Sequence, residues 1–122
     1  MTLLEAMARQ EGFYIGGSLA QRNHNPGNII SGQFATAHGS IGAGLGYAVF
    51  PDDLTGFAAM RALLTGPAYR GLTVEAAINK WCPPQDGSEL TAGNQPDVYV
   101  RNVCQWCQCQ PADIIDSMLD PA

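Results

Sequence analysis

Glu11 and the amide-rich run Arg22-Asn23-His24-Asn25-Pro26-Gly27-Asn28-Ile29 are the parts of this sequence whose residue types and spacing can do chemistry together. Glu11 closes a predicted helix and is followed by Gly12 and the aromatic rings of Phe13 and Tyr14. A carboxyl held near aromatic rings loses hydration, keeps its proton to higher pH and can act as a general acid. In the run a dozen residues later, Asn23, Asn25 and Asn28 put three amides within six residues, more than one turn needs. Such side chains can hydrogen-bond the loop's own backbone, or meet hydroxyl and acetamido groups of a ligand. One protonatable carboxyl beside an amide-lined groove suits acid cleavage of a glycosidic bond in an amino-sugar polymer. On residue type alone, the commoner reading of Glu11 is an exposed helix-end charge paired with Arg9 or Arg22, and that of the Asn run is a structural turn. His24 has no Ser, Cys or second His to form a nucleophile system, and reads as a solvent-facing loop residue.

Glycosidases of the two-carboxylate type need a second acid roughly 5–10 Å from the first. Asp52 and Asp53 read better as helix caps. Asp86, Glu89 and Asp97 belong to a polar excursion and the helix after it, from which one of them could approach the cleft. A mechanism that uses a single glutamate accounts for the missing partner.

Apolar Leu3, Leu4, Met7 and Ala8 recur at helical spacing, which predicts a helix over residues 2–12 capped by Thr2. Residues 18–28 read as loop, being dense in Asn, Pro and Gly. The short Gly-punctuated segments 29–34, 37–41 and 46–50 read as a small antiparallel sheet. Pro51-Asp52-Asp53 opens a helix with Leu54, Phe57, Ala58 and Leu64 close to one stripe, stopped by Gly66-Pro67. Thr73 caps another helix, lined by Val74, Ala77, Ile78 and Trp81. A further helix starts at Pro96 or Asp97 and runs through Tyr99, Val100, Val103 and Trp106. Pro111 is expected to open a last one that buries Ile114, Ile115, Met118 and Leu119. Strands segregated from helices, with no βαβ alternation, define an α+β class.

At 122 residues and 46% hydrophobic composition the chain is expected to fold as a single domain over residues 1–122. Six basic residues against eleven acidic ones, scattered singly, exclude nucleic acid as a natural partner and disfavour anionic membranes. An uncharged sugar backbone stays compatible. Neither a secretory signal nor a membrane-inserting segment is visible, so an extracytoplasmic substrate would be reached through a holin, virion injection or a larger particle. Cys82, Cys104, Cys107 and Cys109 read as reduced, partly buried thiols. A disulfide from Cys82 to the cluster and a metal site are weaker readings, because zinc usually joins two separated ligand pairs.

The helix ending in Glu11-Gly12-Phe13, the RNHNPGNI loop, Gly46-Tyr47-Ala48-Val49-Phe50-Pro51, Gly56-Phe57-Ala58-Ala59-Met60, Trp81-Cys82-Pro83-Pro84 and Tyr99-Val100-Arg101-Asn102-Val103 occur in that order. This ordered set resembles phage and prophage lysozyme-like proteins related to lytic transglycosylases, over roughly residues 4–118. The resemblance implies a mainly helical lysozyme-like fold whose small sheet flanks the cleft, with Glu11 as catalytic acid. It implies a bacterial cell-wall substrate: the β-1,4 bond between N-acetylmuramic acid and N-acetylglucosamine, cut by a muramidase or a lytic transglycosylase. Asn23, Asn25, Asn28, Tyr47 and Phe50 are then placed along the sugar cleft. Tyr99 is expected either at the acetamido group or the glutamate, or as a core aromatic. No cofactor or metal is expected. The expected partner is the peptidoglycan strand, met by a monomer or by part of a phage particle. The competing class is a non-catalytic peptidoglycan-binding or virion-structural module of the same fold. A cysteine-based metal domain comes third.

Overall fold

The computed structural model describes residues 1–121. Thr2 opens α1 (Leu3–Gln10) with a reciprocal capping box: its hydroxyl accepts from the Glu5 N–H at 3.2 Å, and the Glu5 carboxylate accepts from the Thr2 N–H at 2.9 Å. Glu11 is the C-cap, and Gly12 follows at φ +83°. Gly12 N–H donates to Arg9 O at 3.1 Å and Phe13 N–H to Ala8 O at 3.0 Å, the paired bonds of a Schellman closure. Phe13 then folds back against Ala8 and Ala20, and meets Phe57 edge-on at 5.4 Å.

The stretch 18–28 is not all loop. Ser18 accepts from the Gln21 N–H and starts a one-turn helix, α2 (Leu19–Arg22), so a side-chain cap prevails over loop-like composition. The expected three-part sheet is also smaller than its composition suggests. Residues Gln33–Ala37 form a helical turn, α3, closed when Ser40 N–H donates to Ala35 O at 2.9 Å. Segment 29–34 contributes a single bridge, Ile30 to Tyr47, and 37–41 only the bond from Ile41 N–H to Val49 O. Neither segment has the run of alternating burial that a longer strand needs. What remains is an antiparallel hairpin of β1 (Gly42–Gly44) and β2 (Tyr47–Val49), with Ala43 opposite Ala48. Its two-residue turn holds Leu45 at φ 53° and Gly46 at φ 85°, the left-handed pair that matches strand twist.

Asp52 caps α4 (Asp53–Thr65), accepting from the Thr55 N–H at 2.8 Å. The buried face of this helix is Gly56, Ala59, Met60 and Leu64; Leu54 is 82% exposed and Ala58 is exposed, so the predicted stripe is rotated. Gly56 is the reason. A Cβ there would collide with the His24 carbonyl oxygen and sit 2.8 Å from Pro26 Cδ. The missing side chain lets the amide-rich loop lie directly on the helix.

Thr73 caps α5 (Val74–Trp81), which buries Val74, Ala77 and Ile78 as expected. Pro96 begins α6 (Pro96–Cys107), whose buried residues include Tyr99, Val100 and Val103. No helix starts at Pro111. The backbone there bonds to the 72–74 segment, with Val74 N–H donating to Asp113 O and Ile115 N–H to Leu72 O. Only a 3-10 turn, Ile115–Met118, follows, and Ile114 is 46% exposed. The core is built where α1 packs on α6 and α4 and where α6 packs on α5, around Leu3, Met7, Phe50, Met60, Ile78 and Val103. The architecture is thus α+β: helices with one small antiparallel hairpin. No helix among the described residues is long and apolar enough to cross a membrane.

Candidate active site

The Schellman closure ends α1 sharply and leaves the Glu11 side chain between α6 and the amide-rich loop. Tyr99 O–H donates to Glu11 Oε2 at 2.9 Å across 88 residues of sequence. Asn28 Nδ2 donates to Glu11 Oε1 at 3.3 Å, with a long second contact of 3.5 Å to the Glu11 carbonyl. Burial raises the Glu11 pKa above its ordinary 4.5, because desolvation outweighs the opposing effects of Tyr99, Asn28 and Trp81. Tyr99 is only 4% exposed, and desolvation together with the neighbouring carboxylate holds its phenol far above 10, so it remains a neutral donor.

Glu11 opens on a groove of about 470 Å³. Asn28, Ile30, Tyr47, Tyr69, Lys80 and Trp81 are among its lining residues. Among the described lining residues Glu11 is the sole carboxylate. Of the other candidate acids, Glu89 and Asp97 do not line the groove, and the rest are engaged elsewhere. Asp52 caps α4, Asp53 pairs with the exposed His24 at 2.7 Å, and Asp86 is held down at about 2 by its bonds to Ser88 and Thr91.

The three loop asparagines divide sharply by role. Asn25 is fully buried: Nδ2 donates to Ile29 O at 2.9 Å and Ala48 O at 3.0 Å, and Oδ1 accepts from Ile29 N–H at 2.9 Å. It ties the loop to β2 and cannot reach a ligand. Asn23 is 7% exposed, with its side-chain amide packed under Gly44 and its backbone carbonyl accepting from Phe50 N–H, so it too is structural. Phe50, expected along the cleft, is 0% exposed and sits in the core. The alternation of β2 explains this, since Ala48 and Phe50 face inward while Tyr47 and Val49 are only half-buried. Asn28 alone faces the carboxyl, at a left-handed φ of 48° that Asn tolerates well. Of the expected site residues, Glu11, Asn28, Tyr47 and Tyr99 come together; Asn23, Asn25 and Phe50 support them from behind.

Trp81, read from sequence as core, does both jobs. It packs against the core, lines the groove, and donates from Nε1 to Gly27 O at 3.2 Å. A Cβ on Gly27 would stand 2.8 Å from the Trp81 ring, so that glycine allows the loop to lie flat on the indole. Ile30, Tyr69, Lys80 and Leu90 were not anticipated at the groove. Spacing carries no signal for them, because tertiary contacts alone bring their segments together. The four thiols are free and partly buried; Cys82 lines the groove, while Cys104, Cys107 and Cys109 cluster around the end of α6. No group of His, Cys, Asp and Glu suited to a metal ion occurs among the described residues.

No protein-family model, curated protein or solved structure matches the chain.

Proposed function

We propose that the chain is a lysozyme-like peptidoglycan glycosidase acting on the β-1,4 bond between N-acetylmuramic acid and N-acetylglucosamine, with Glu11 as general acid and base. The observation that carries this reading is the Glu11 carboxyl itself: partly buried at a helix end, its pKa raised by desolvation, and lining a groove large enough for sugar rings. Protonated Glu11 donates to the glycosidic oxygen as the bond to the muramoyl C1 breaks. With no second acid among the described residues lining the groove, the substrate's own 2-acetamido oxygen is the group that stabilises the cationic carbon, as in substrate-assisted glycosidases. Ionised Glu11 then takes a proton from the muramoyl C6 hydroxyl or from water. The first route yields an anhydro-sugar, the second a reducing end.

Tyr99 and Asn28 suit both charge states of this acid. The Tyr99 hydroxyl stabilises the carboxylate after transfer. Asn28 Oδ1 is buried without a partner, and turning its amide over would let it accept from the protonated carboxyl.

The test is Glu11→Gln on purified cell walls. General acid–base groups contribute roughly 10²–10⁴-fold, and a loss of that size in wall clearing is expected. Clearing at the unmodified rate removes the proposal. Mass analysis of released muropeptides then separates anhydro from reducing ends.

A further inference from the structure

Lys80 occupies an unusual place. It is the penultimate residue of α5, exposed, and it lines the same groove as Glu11. Its Nζ donates to Ala68 O at 2.9 Å and lies 5.2 Å from the centre of the Tyr69 ring, which itself packs edge-on against Trp81 at 5.7 Å. An ammonium fixed by a carbonyl and an aromatic face has lost much of the freedom a surface lysine normally keeps. It still has two N–H donors to give. Among the described residues Lys80 is in neither of the ion pairs, and it is the only cationic side chain lining the groove. In a chain of formal net charge −5, one ordered cation facing a groove with one carboxyl is a placed charge.

Resting on the glycosidase reading above, we infer that Lys80 is a subsite for a substrate carboxylate, so that the groove prefers anionic muramoyl glycans to neutral amino-sugar chains. Two sources supply that chemistry in peptidoglycan: the lactyl carboxylate of a muramoyl residue stripped of its peptide, and the carboxylates of an attached stem peptide. The partner bond is an ammonium–carboxylate contact at a half-open surface, whose strength falls as salt screens it.

Binding measured by calorimetry in the full-length Glu11→Gln chain, which holds glycans without cutting them, separates this inference from the catalytic one. Three tetrasaccharides serve as probes: a peptide-free muramoyl glycan, the same glycan carrying stem peptides, and chitotetraose. At low ionic strength at least one anionic glycan is expected to bind about tenfold more tightly than chitotetraose. That preference is expected to shrink to within about twofold when Lys80→Met is added, and to survive in Lys80→Arg. Whichever anionic probe carries the preference identifies the source of the carboxylate. Equal binding of all three, no measurable binding of either anionic glycan, or a preference that persists in Lys80→Met overturns the inference. Wall clearing by the unsubstituted chain is read separately, so failure there strikes the enzyme proposal and leaves the binding result to stand.

Discussion

The two sides of the Glu11 groove are built differently. The side made by residues 23–30 is knitted to the protein by buried bonds: Asn25 to Ile29 and Ala48, Phe50 N–H to Asn23 O, and the close seat of His24 and Pro26 on Gly56. The polar excursion 85–95, which gives the groove Leu90 and Asn94, is by contrast largely exposed, and its bonds are local, from Thr91 to Asp86 and from Asn94 to Pro83 O. Chemistry needs the first kind of wall. A carboxyl keeps its proton to higher pH where fixed protein groups replace much of the water around it. Recognition tolerates the second kind, since contacts to a long polymer can be made by side chains on a local framework.

The largest break in this contrast is Asn25→Ala. It strands the Ile29 N–H and the Ala48 carbonyl behind a fully buried site, while the Ile29 carbonyl keeps its bond from Ala48 N–H, a loss of about 2 kcal/mol at roughly 1 kcal/mol or more per abandoned group. Urea denaturation is expected to show that drop. Wall clearing should fall with it, because Asn28 is carried by the same loop. A variant of unchanged stability would mean that the loop is not anchored by this side chain.

Glu11→Gln sharpens the contrast through pH. Glu11 binds its proton more tightly folded than unfolded, so native stability is lost as pH rises from the ordinary 4.5 through the raised folded value. Below that window the carboxyl is protonated in both states and costs nothing. The Gln variant escapes the loss, so its melting temperature is expected to exceed the unsubstituted chain's by a few degrees near neutrality, with the gap closing in acid. A gap that widens on acidification would assign Glu11 a lowered pKa and undo its role as an acid.

Tyr99→Phe is a smaller perturbation of the same group. Removing the hydroxyl takes away the chief bond that favours the ionised form, which lifts the Glu11 pKa further. The alkaline limb of the activity profile, where protonated Glu11 is exhausted, is expected to move to higher pH. An unmoved limb would mean that the hydroxyl serves packing alone.

Which parts of this arrangement were legible in the sequence follows from how local their causes are. The first helix is written in Thr2, Glu5 and Gly12, all in contact with their near neighbours, and α5 and α6 are likewise announced by Thr73 and Pro96. The buried face of α4 was misread because it is set by His24 and Pro26, some thirty residues earlier, meeting Gly56. The same limit applies to the amides. Asn25 and Asn28 are identical in type and three residues apart, and only the position of β2 and of Glu11 makes one a strut and the other a ligand to the acid. Glu11 is a candidate from its setting at a helix end beside aromatic residues, but on residue type alone an exposed charge is the commoner reading, and the ordered motifs of the resemblance are needed to single it out. Lys80 and Leu90 could not be singled out, because their segments acquire meaning only when the fold lays them along the groove.

Leu90→Ala gives the smallest stability effect and the cleanest view of the open side. Leu90 is 94% exposed yet lines the groove, opposite in character to the buried Phe50 that the sequence had suggested for the cleft. Truncating a side chain already in water should leave stability within about 0.5 kcal/mol of the starting chain. Under the proposed function, an exposed apolar side chain beside the groove has another use, covering the nonpolar face of a bound sugar ring, and burying it there is worth on the order of 1 kcal/mol. The glycan dissociation constant is therefore expected to rise severalfold while the urea midpoint stays in place. If the midpoint falls instead and binding holds, the excursion is a structural prop, and both sides of the groove are built on the same principle after all.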